Sequence, residues 1–419
     1  MDKVLKDKVR KKIIAEYNEL FSKPTMNEVE LKKAFDEILN EIAKEEHIYT
    51  SEQERKTLMS EILIEFTGLG IIDALLSDPA VTEIMINGPK KVFLEKNGKK
   101  EMAQISFDDE QQLNRLISKI LMPTRRHVDE AIPFTDVSLK DGSRVNIIIP
   151  PLAIDGPTIT IRKFLTEIRN MEHLLERGTL NKRMGDFLIA CMRAKLNLIL
   201  AGATGSGKTT TLGVLSTYID KDERIITIED TPELHLYQDH VVRLETRQPN
   251  IEGKGEITTR DLFKNSLRMR PERIILGEIR GGETLDMLQA ICSGHTGSLA
   301  VIHGNTPQDV IYRIETMILT SGVPITLEAI HRQIAAAIHL IIQQDQLLDG
   351  TRRITHISQV NGLKDERVVL EDLFVYDIES VESSGKVIGK WRATGIIPVF
   401  YPLFKKAGIE LSKEIFNPD

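Results

Sequence analysis

Along the first 65 positions apolar residues recur at the spacing of an amphipathic helix. Leu5, Val9, Ile13, Tyr17 and Leu20 make one face, and Leu31, Phe35, Ile38, Leu39 and Ile42 a second, with Pro24 between them. Ser51 and Glu54 stand at capping-box spacing and predict a third helix that ends near Gly68 and Gly70. Helices of this kind bury their apolar stripes on one another, so 1–67 reads as a small helical region. From about residue 71 the period shortens to that of strands: Val81 to Ile86, Val92 to Glu95 and Met102 to Ile105, with turns at Asn87-Gly88-Pro89 and Asn97-Gly98. Asp108 or Asp109 caps a helix running through Leu121. A strand pair then turns at Asp141-Gly142 into Val145 to Ile149, and Thr158 to Ile161 adds a strand, completing an α+β domain over 70–165.

The charged, helix-prone stretch from Leu165 to Lys182 reads as a linker over 166–182. Beyond it strands alternate with helices, the mark of a parallel α/β sheet spanning 183–419. Its strands are the run before Gly202, Arg224 to Ile228, Arg273 to Leu276, Leu299 to Ile302 and Ala337 to Ile342. Arg353 to Val360 and Arg367 to Tyr376 read as a hairpin around Asn361-Gly362, and the tail after Ile396 carries no pattern. The fold class is therefore α/β, with a smaller α+β domain and a helical region ahead of it.

Composition narrows the function classes. A chain of 419 residues exceeds one compact core. With 55 basic and 62 acidic residues the net charge is −7, which argues against a protein that coats nucleic acid. Cys191 and Cys292 are the two cysteines, too few for a disulfide framework or a four-cysteine zinc module. The amino-terminal residues mix charges and lack the apolar core of a signal peptide, and no apolar stretch approaches a membrane span. A cytoplasmic protein that meets the membrane only through partners is expected.

Chemistry concentrates after the apolar run Leu198 to Ala201. Gly202-Ala203-Thr204-Gly205-Ser206-Gly207-Lys208-Thr209, followed by Thr210, has the G-x-x-x-x-G-K-T spacing between a strand and a helix. Glycines there turn the backbone N–H groups toward phosphate oxygens, Lys208 reaches the β- and γ-phosphates, and the Thr209 hydroxyl ligates Mg²⁺. A nucleoside triphosphate with Mg²⁺ is the expected ligand. Three further strands end in polar groups, where open α/β sheets place ligands: Glu229-Asp230, Gly277-Glu278-Ile279-Arg280 and His303. Glu278 suits the polarisation of an attacking water, Glu229 the holding of Mg²⁺ through its hydration shell, and His303 the sensing of the γ-phosphate. The run Gly294-His295-Thr296-Gly297-Ser298 ahead of His303 favours a functional reading of that histidine. Arg268, Arg270, Arg273 and Arg280 surround the Glu278 strand, with Arg243 and Arg247 upstream. Without interleaved aromatics, phosphate sensing or a subunit interface explains them better than nucleic acid. Arg144 and Arg162, taken alone, read as ordinary surface residues.

Taken together, these motifs resemble the four boxes of the secretion ATPase superfamily. Ile-Ile-Thr-Ile-Glu229-Asp230-Thr-Pro-Glu233 is similar to its Asp box, Arg-Met-Arg-Pro-Glu-Arg-Ile-Ile-Leu-Gly-Glu278-Ile-Arg to its atypical Walker B, and Gly-His295-Thr-Gly-Ser-Leu-Ala-Val-Ile-His303 to its His box. The runs Val-Val-Arg-Leu-Glu-Thr-Arg-Gln-Pro-Asn-Ile-Glu-Gly-Lys-Gly-Glu and Val-Thr-Glu-Ile-Met-Ile-Asn-Gly-Pro resemble the CpaF/TadA branch, which powers assembly of tight-adherence (Flp-type) pili. The likeness covers roughly residues 70 to 410; Thr296 departs from it, since that branch often has Asp there. What the resemblance implies is a homo-hexameric ring at the inner face of the cytoplasmic membrane, engaging a pilus platform protein. It also implies a nucleotide between the two domains, with Arg144 and Arg162 of the smaller domain and Arg270 reaching the phosphates. Three readings follow: an ATP-hydrolysing pilus or secretion motor, a nucleic-acid translocase of the hexameric P-loop class, and a non-catalytic nucleotide-dependent scaffold. Glu278 favours hydrolysis, because a scaffold can dispense with a water-positioning carboxylate.

Overall fold

The computed structural model describes residues 8, 9, 12, 28–45, 51, 52, 54–59, 69–96, 98–124, 126–163, 168, 170–234, 236–247, 249 and 253–418. Leu5, Ile13, Tyr17, Leu20, Pro24, Gly68 and Asn97, singled out above, lie outside them. The chain divides into two compact units, Met1–Phe164 and Leu165–Asp419.

In the first unit, helix α1 (Glu28–Glu45) turns Phe35, Ile38, Leu39 and Ile42 onto Val9 and Leu58, so the helical face read from the sequence is the buried one. The capping box at Ser51 is formed: the Ser51 backbone N–H donates to Glu54 Oε2 at 2.8 Å, and the Glu54 N–H to Ser51 Oγ at 3.3 Å. Strands β1 (Val81–Asn87), β2 (Lys91–Lys96), β3 (Lys99–Met102), β4 (Phe134–Ser138), β5 (Arg144–Ile148) and β6 (Thr158–Arg162) make an antiparallel sheet in the order β3-β2-β1-β6-β5-β4. β3 starts three residues earlier than its predicted Met102 because Gly98, at φ 77°, closes a tight turn straight after β2. One sheet face buries Ile84, Ile86, Val145, Ile147, Ile159 and Ile161 with Leu113, Leu116, Ile117 and Ile120 of α2 (Glu110–Leu121). Asp109 is that helix's cap, its side chain accepting from Gln112 N–H at 2.7 Å.

The second unit holds a nine-stranded sheet: β7 (Leu198–Gly202), β8 (Ile225–Glu229), β9 (Val241–Glu245), β10 (Arg273–Leu276), β11 (Leu299–His303), β12 (Leu340–Gln346), β13 (Arg352–Lys364), β14 (Arg367–Val381) and β15 (Val387–Ala393). The order is β15-β14-β13-β12-β7-β11-β10-β8-β9, parallel from β12 to β9 and antiparallel beyond. β7, β8 and β10 are buried along their whole length, as strands covered by helices on both faces must be. The covering helices are α3 (Met171–Glu176), α4 (Lys182–Arg193), α5 (Lys208–Ser216), α6 (Thr259–Ser266), α7 (Glu283–Cys292), α8 (Pro307–Leu319) and α9 (Leu327–Ala337).

Four sequence expectations change here. The stretch taken as a linker enters the core: Met171 and Leu174 of α3 are buried, and Asn181 caps α4. Ala337 ends α9 rather than starting a strand, and β12 runs on into the polar residues Gln343–Gln346. The β13–β14 hairpin turns at Asp365 and Glu366, at φ 49° and 60°, whereas Asn361-Gly362 falls where the ladder shifts register, with Gly362 at φ 70°. The tail is structural, since Phe404 of α10 (Pro402–Lys406) and Phe416 pack edge-on against Phe187 of α4.

Candidate nucleotide-binding site

Parallel pairing aligns the carboxyl ends of β7, β8, β10 and β11, and β11 sets His303 opposite Gly202. The glycine-rich loop leaves β7 and enters α5 through Gly202, Gly205 and Gly207, at φ 149°, 79° and 92°. A Cβ on Gly202 would lie 2.0 Å from the Gln344 carbonyl oxygen, so that position excludes any side chain. α5 begins at Lys208, and no side chain caps its amino terminus, which leaves first-turn N–H groups aimed at the loop's concavity. Ser206 is fully buried, Ala203 and Thr204 are exposed, and Thr209 and Thr210 are half-buried at the helix entrance.

Lys208 is buried, and its Nζ donates to the carbonyls of Gly202 at 3.0 Å and Ala203 at 2.7 Å. Burial lowers its pKa, opposed by the charges of Glu278, Glu233 and Asp345. Glu278 has both carboxylate oxygens engaged: Oε2 accepts from Arg280 Nη2 at 2.6 Å, and Oε1 lies 3.2 Å from His303 Nε2. Burial pushes the Glu278 carboxyl up, but the Arg280 hydrogen bond and the charges of Arg280, His303 and Lys208 outweigh it and hold the group below the usual carboxylate range. Burial first and the Lys208 charge second depress the His303 pKa. His303 Nε2 thus stands at ion-pair distance from Glu278 Oε1, in a setting that disfavours the charged imidazole. Glu229 is buried, which raises its pKa, while its Oε1 accepts from the N–H groups of Glu233 at 2.8 Å and Leu234 at 2.9 Å. A Cβ on Gly277 would lie 2.6 Å from Glu229 Cγ, so the glycine before Glu278 makes room for this brace.

The loop is braced from behind by residues the sequence reading did not single out. Gln344 Nε2 donates to the Ser206 carbonyl and Arg352 Nε to the Gly205 carbonyl, each at 2.8 Å. Holding carbonyls outward keeps the N–H groups facing the anion site. Gln343 Nε2 donates to the Gly304 carbonyl just past His303 at 3.1 Å and to Asp345 at 2.7 Å. The readable signal was a polar Gln-Gln-Asp-Gln run directly after an apolar strand.

The predicted arginines separate into different classes. Arg144 and Arg162 sit directly opposite each other on β5 and β6, with Glu83 of β1 opposite Arg162 and paired to its Nε at 3.0 Å. Arg270, at φ 55°, is exposed just before β10, at the end of that strand remote from Glu278 and the loop, so the second unit does not itself bring it to the cluster. Arg273 corrects the phosphate-sensing or interface reading: it is 1% exposed, pairs with Glu223 at 2.7 Å and donates to the Met192 carbonyl at 2.7 Å. Gly297 is explained by the same side chain, since a Cβ there would lie 2.5 Å from Arg273 Nη1.

The groups present fit a phosphate chain: an uncapped helix amino terminus, a buried lysine and three glycines held away from a side-chain-compatible backbone. Among the described residues no cluster of three or more His, Cys, Asp or Glu could hold a metal ion by itself. A divalent ion here would rest on Thr209 and on phosphate oxygens and waters, which is how Mg²⁺ is commonly held. Among the described residues, no helix is long and apolar enough to cross a membrane.

Comparison with known proteins agrees with this arrangement. The family model described as Type II/IV secretion system protein matches residues 65–370. A Mycobacterium tuberculosis protein named for conjugal transfer is 31% identical over 331 residues, covering 74% of this chain and 94% of its own. The type IV secretion system protein VirB11 of Brucella abortus is 31% identical over 313 residues, 68% of this chain and 86% of its own. The solved structure of the pilus retraction motor PilT with bound ADP covers 81% of this chain and 86% of its own, with a TM-score of 0.51 at 19% identity, a likeness of fold. A match across well over half of the chain, with relatives aligned along most of their length, places the protein: it belongs to the type II/IV secretion system protein family.

Proposed function

We propose that the chain is an ATP-hydrolysing motor that works as a homo-hexamer at the inner face of the cytoplasmic membrane and drives pilus assembly through a platform protein. Within the family, the CpaF/TadA-like runs quoted above favour tight-adherence pili. One observation carries the enzymatic part: Lys208, Glu278 and His303 converge beside an uncapped helix amino terminus at the carboxyl ends of parallel strands. A carboxylate kept ionised by its neighbours is what orientation of an attacking water needs.

In this reading the N–H groups of α5 and the loop receive the phosphates, and Lys208 exchanges the Gly202 and Ala203 carbonyls for phosphate oxygens. Mg²⁺, held by Thr209 and through water by Glu229, supplies charge neutralisation on the phosphates when bound. Glu278 orients the water, and His303, 3.2 Å from Glu278 Oε1, senses the γ-phosphate. Arg144 and Arg162 of the first unit add positive charge to the transition state; Arg270, away from its own subunit's cluster, would do so only from a neighbouring subunit of the ring.

Purified protein with Mg²⁺ and ATP tests this. Turnover should rise as a six-subunit species forms by light scattering, be abolished by Lys208→Ala, and ignore single-stranded DNA. Turnover without a ring, or strong DNA stimulation that weakens steeply with salt, would favour a translocase.

A further inference from the structure

We propose that Arg280 is a positioning residue shared between Glu278 and Asp230, and that its seat decides how freely Glu278 Oε2 accepts from the attacking water. The inference rests on the hydrolytic reading above. Its starting point is that a carboxylate oxygen tied to a guanidinium is a poorer acceptor for a water, and Arg280 Nη2 donates to Glu278 Oε2 at 2.6 Å while His303 Nε2 lies 3.2 Å from Oε1.

Of the two partners, Arg280 is the one built to let go. His303 ends a buried strand, and its ring is only 32% exposed, whereas the Arg280 side chain is 63% exposed. The Arg280 backbone is anchored independently, because Glu283 Oε1 accepts from the N–H groups of Arg280 at 2.7 Å and Gly281 at 2.8 Å. Side-chain movement therefore leaves the main chain in place. A second seat is at hand. Asp230 Oδ2 lies 3.7 Å from Arg280 Nη1, and Asp230 Oδ1 is steadied by the Thr246 and Thr259 hydroxyls at 3.2 and 3.3 Å. Exposed ion pairs are weak, so exchange between two carboxylates costs little. The charged and titratable groups that act on these three are Lys208 and His303 on Glu278, Glu233 on Arg280, and Arg313 on His303. Among them, Lys208 also competes for the ionised Glu278.

The test is kcat and KM for ATP across pH, with the full-length protein and melting curves to show that each variant folds. Arg280→Gln should move the acid limb of kcat to higher pH, because Glu278 loses the neighbour that most favours its ionised form, and KM should stay within about twofold. Asp230→Asn should lower kcat about fivefold or more at unchanged KM by leaving Arg280 on Glu278. In the Arg280→Gln background the same Asp230→Asn change should have no further effect, a non-additivity that a merely structural role does not produce. An unmoved acid limb, or losses that simply add, would overturn the assignment of Arg280 while leaving ATP hydrolysis intact. Absence of turnover in the unsubstituted protein would overturn the hydrolytic reading and this inference with it.

Discussion

The two ends of strand β10 carry the same residue type to opposite effect. At its start, Arg273 is sealed from water, with Glu223, the Met192 carbonyl and the Gly297 carbonyl all within hydrogen-bonding reach. Past its end, Arg280 lies mostly in solvent, its side chain paired with the carboxylates of Glu278 and Asp230. A buried arginine must have its donors satisfied, so it becomes a fixed brace. An exposed arginine beside a catalytic-type carboxylate pays little to move. Open α/β sheets place ligands outside the carboxyl ends of their strands, and it is at that end of β10 that the exposed arginine stands.

The sharpest way to break the comparison is at the buried end. Arg273→Leu should destabilise the second unit by about 3 kcal/mol or more, because Glu223 is left buried with only Lys195 to offset it. Urea unfolding followed by the fluorescence of Trp391, the one tryptophan, reads that unit. A loss below about 1 kcal/mol would mean the pair is not a brace. At the other end, Glu278→Gln should lower kcat by about 10²-fold or more. The urea midpoint should barely move, since Glu278 is only half-buried and its Arg280 partner stays mostly in solvent. Loss of folding in that variant would make Glu278 structural and erase the distinction between the two ends.

The same contrast accounts for what the sequence allowed one to read. The Gly202–Thr209 loop, Glu278 and His303 were legible because the chemistry is local: a strand, a turn and a residue type at fixed spacing. Arg273 was not, because its partner Glu223 is 50 residues away, and proximity in sequence to Glu278 suggested the wrong role. Gln344 and Arg352 were missed for a similar reason, since they reach the loop across 138 and 147 residues. Helix α3 looked like a linker because its apolar positions Met171, Leu174 and Leu175 sit among charged residues in a helix of only six residues, too short to show a helical period. The β13–β14 turn was misplaced because Asn-Gly is the stronger local signal. Here the ladder put it in a bulge and made Asp365 and Glu366 adopt left-handed conformations that non-glycine residues seldom take.

Histidines repeat the pattern at a smaller scale. His339, just before β12, is half-buried, and desolvation lowers its pKa to about 4; its Nδ1 accepts from Asn197 N–H at 3.1 Å, which requires the neutral ring. The folded form binds its proton more weakly than the unfolded chain. Stability should therefore be full above the ordinary histidine pKa of about 6.5 and fall as pH drops toward 4, by roughly 3 kcal/mol at the limit. His339→Gln, which keeps an acceptor, should flatten urea midpoints across that window. If the slope persists in the variant, other groups set the acid stability and His339 is not the counterpart of His303.

The smallest effect is expected in the other unit, where Arg144 and Arg162 face each other across β5 and β6. Glu83, beside Arg162 on β1, pairs with it at 3.0 Å. In the reading proposed above the two guanidinium groups face an anion of the nucleotide. If that anion is the phosphate chain as it gains charge, Arg144→Gln or Arg162→Gln should slow ATP turnover about tenfold. KM should change by less than about threefold and the melting of the first unit by no more than about 1 kcal/mol. A raised KM at unchanged kcat would make the pair a binding element for ground-state nucleotide. No change in either would leave the arginines as surface residues and confine the chemistry of this chain to the strand ends of its second unit.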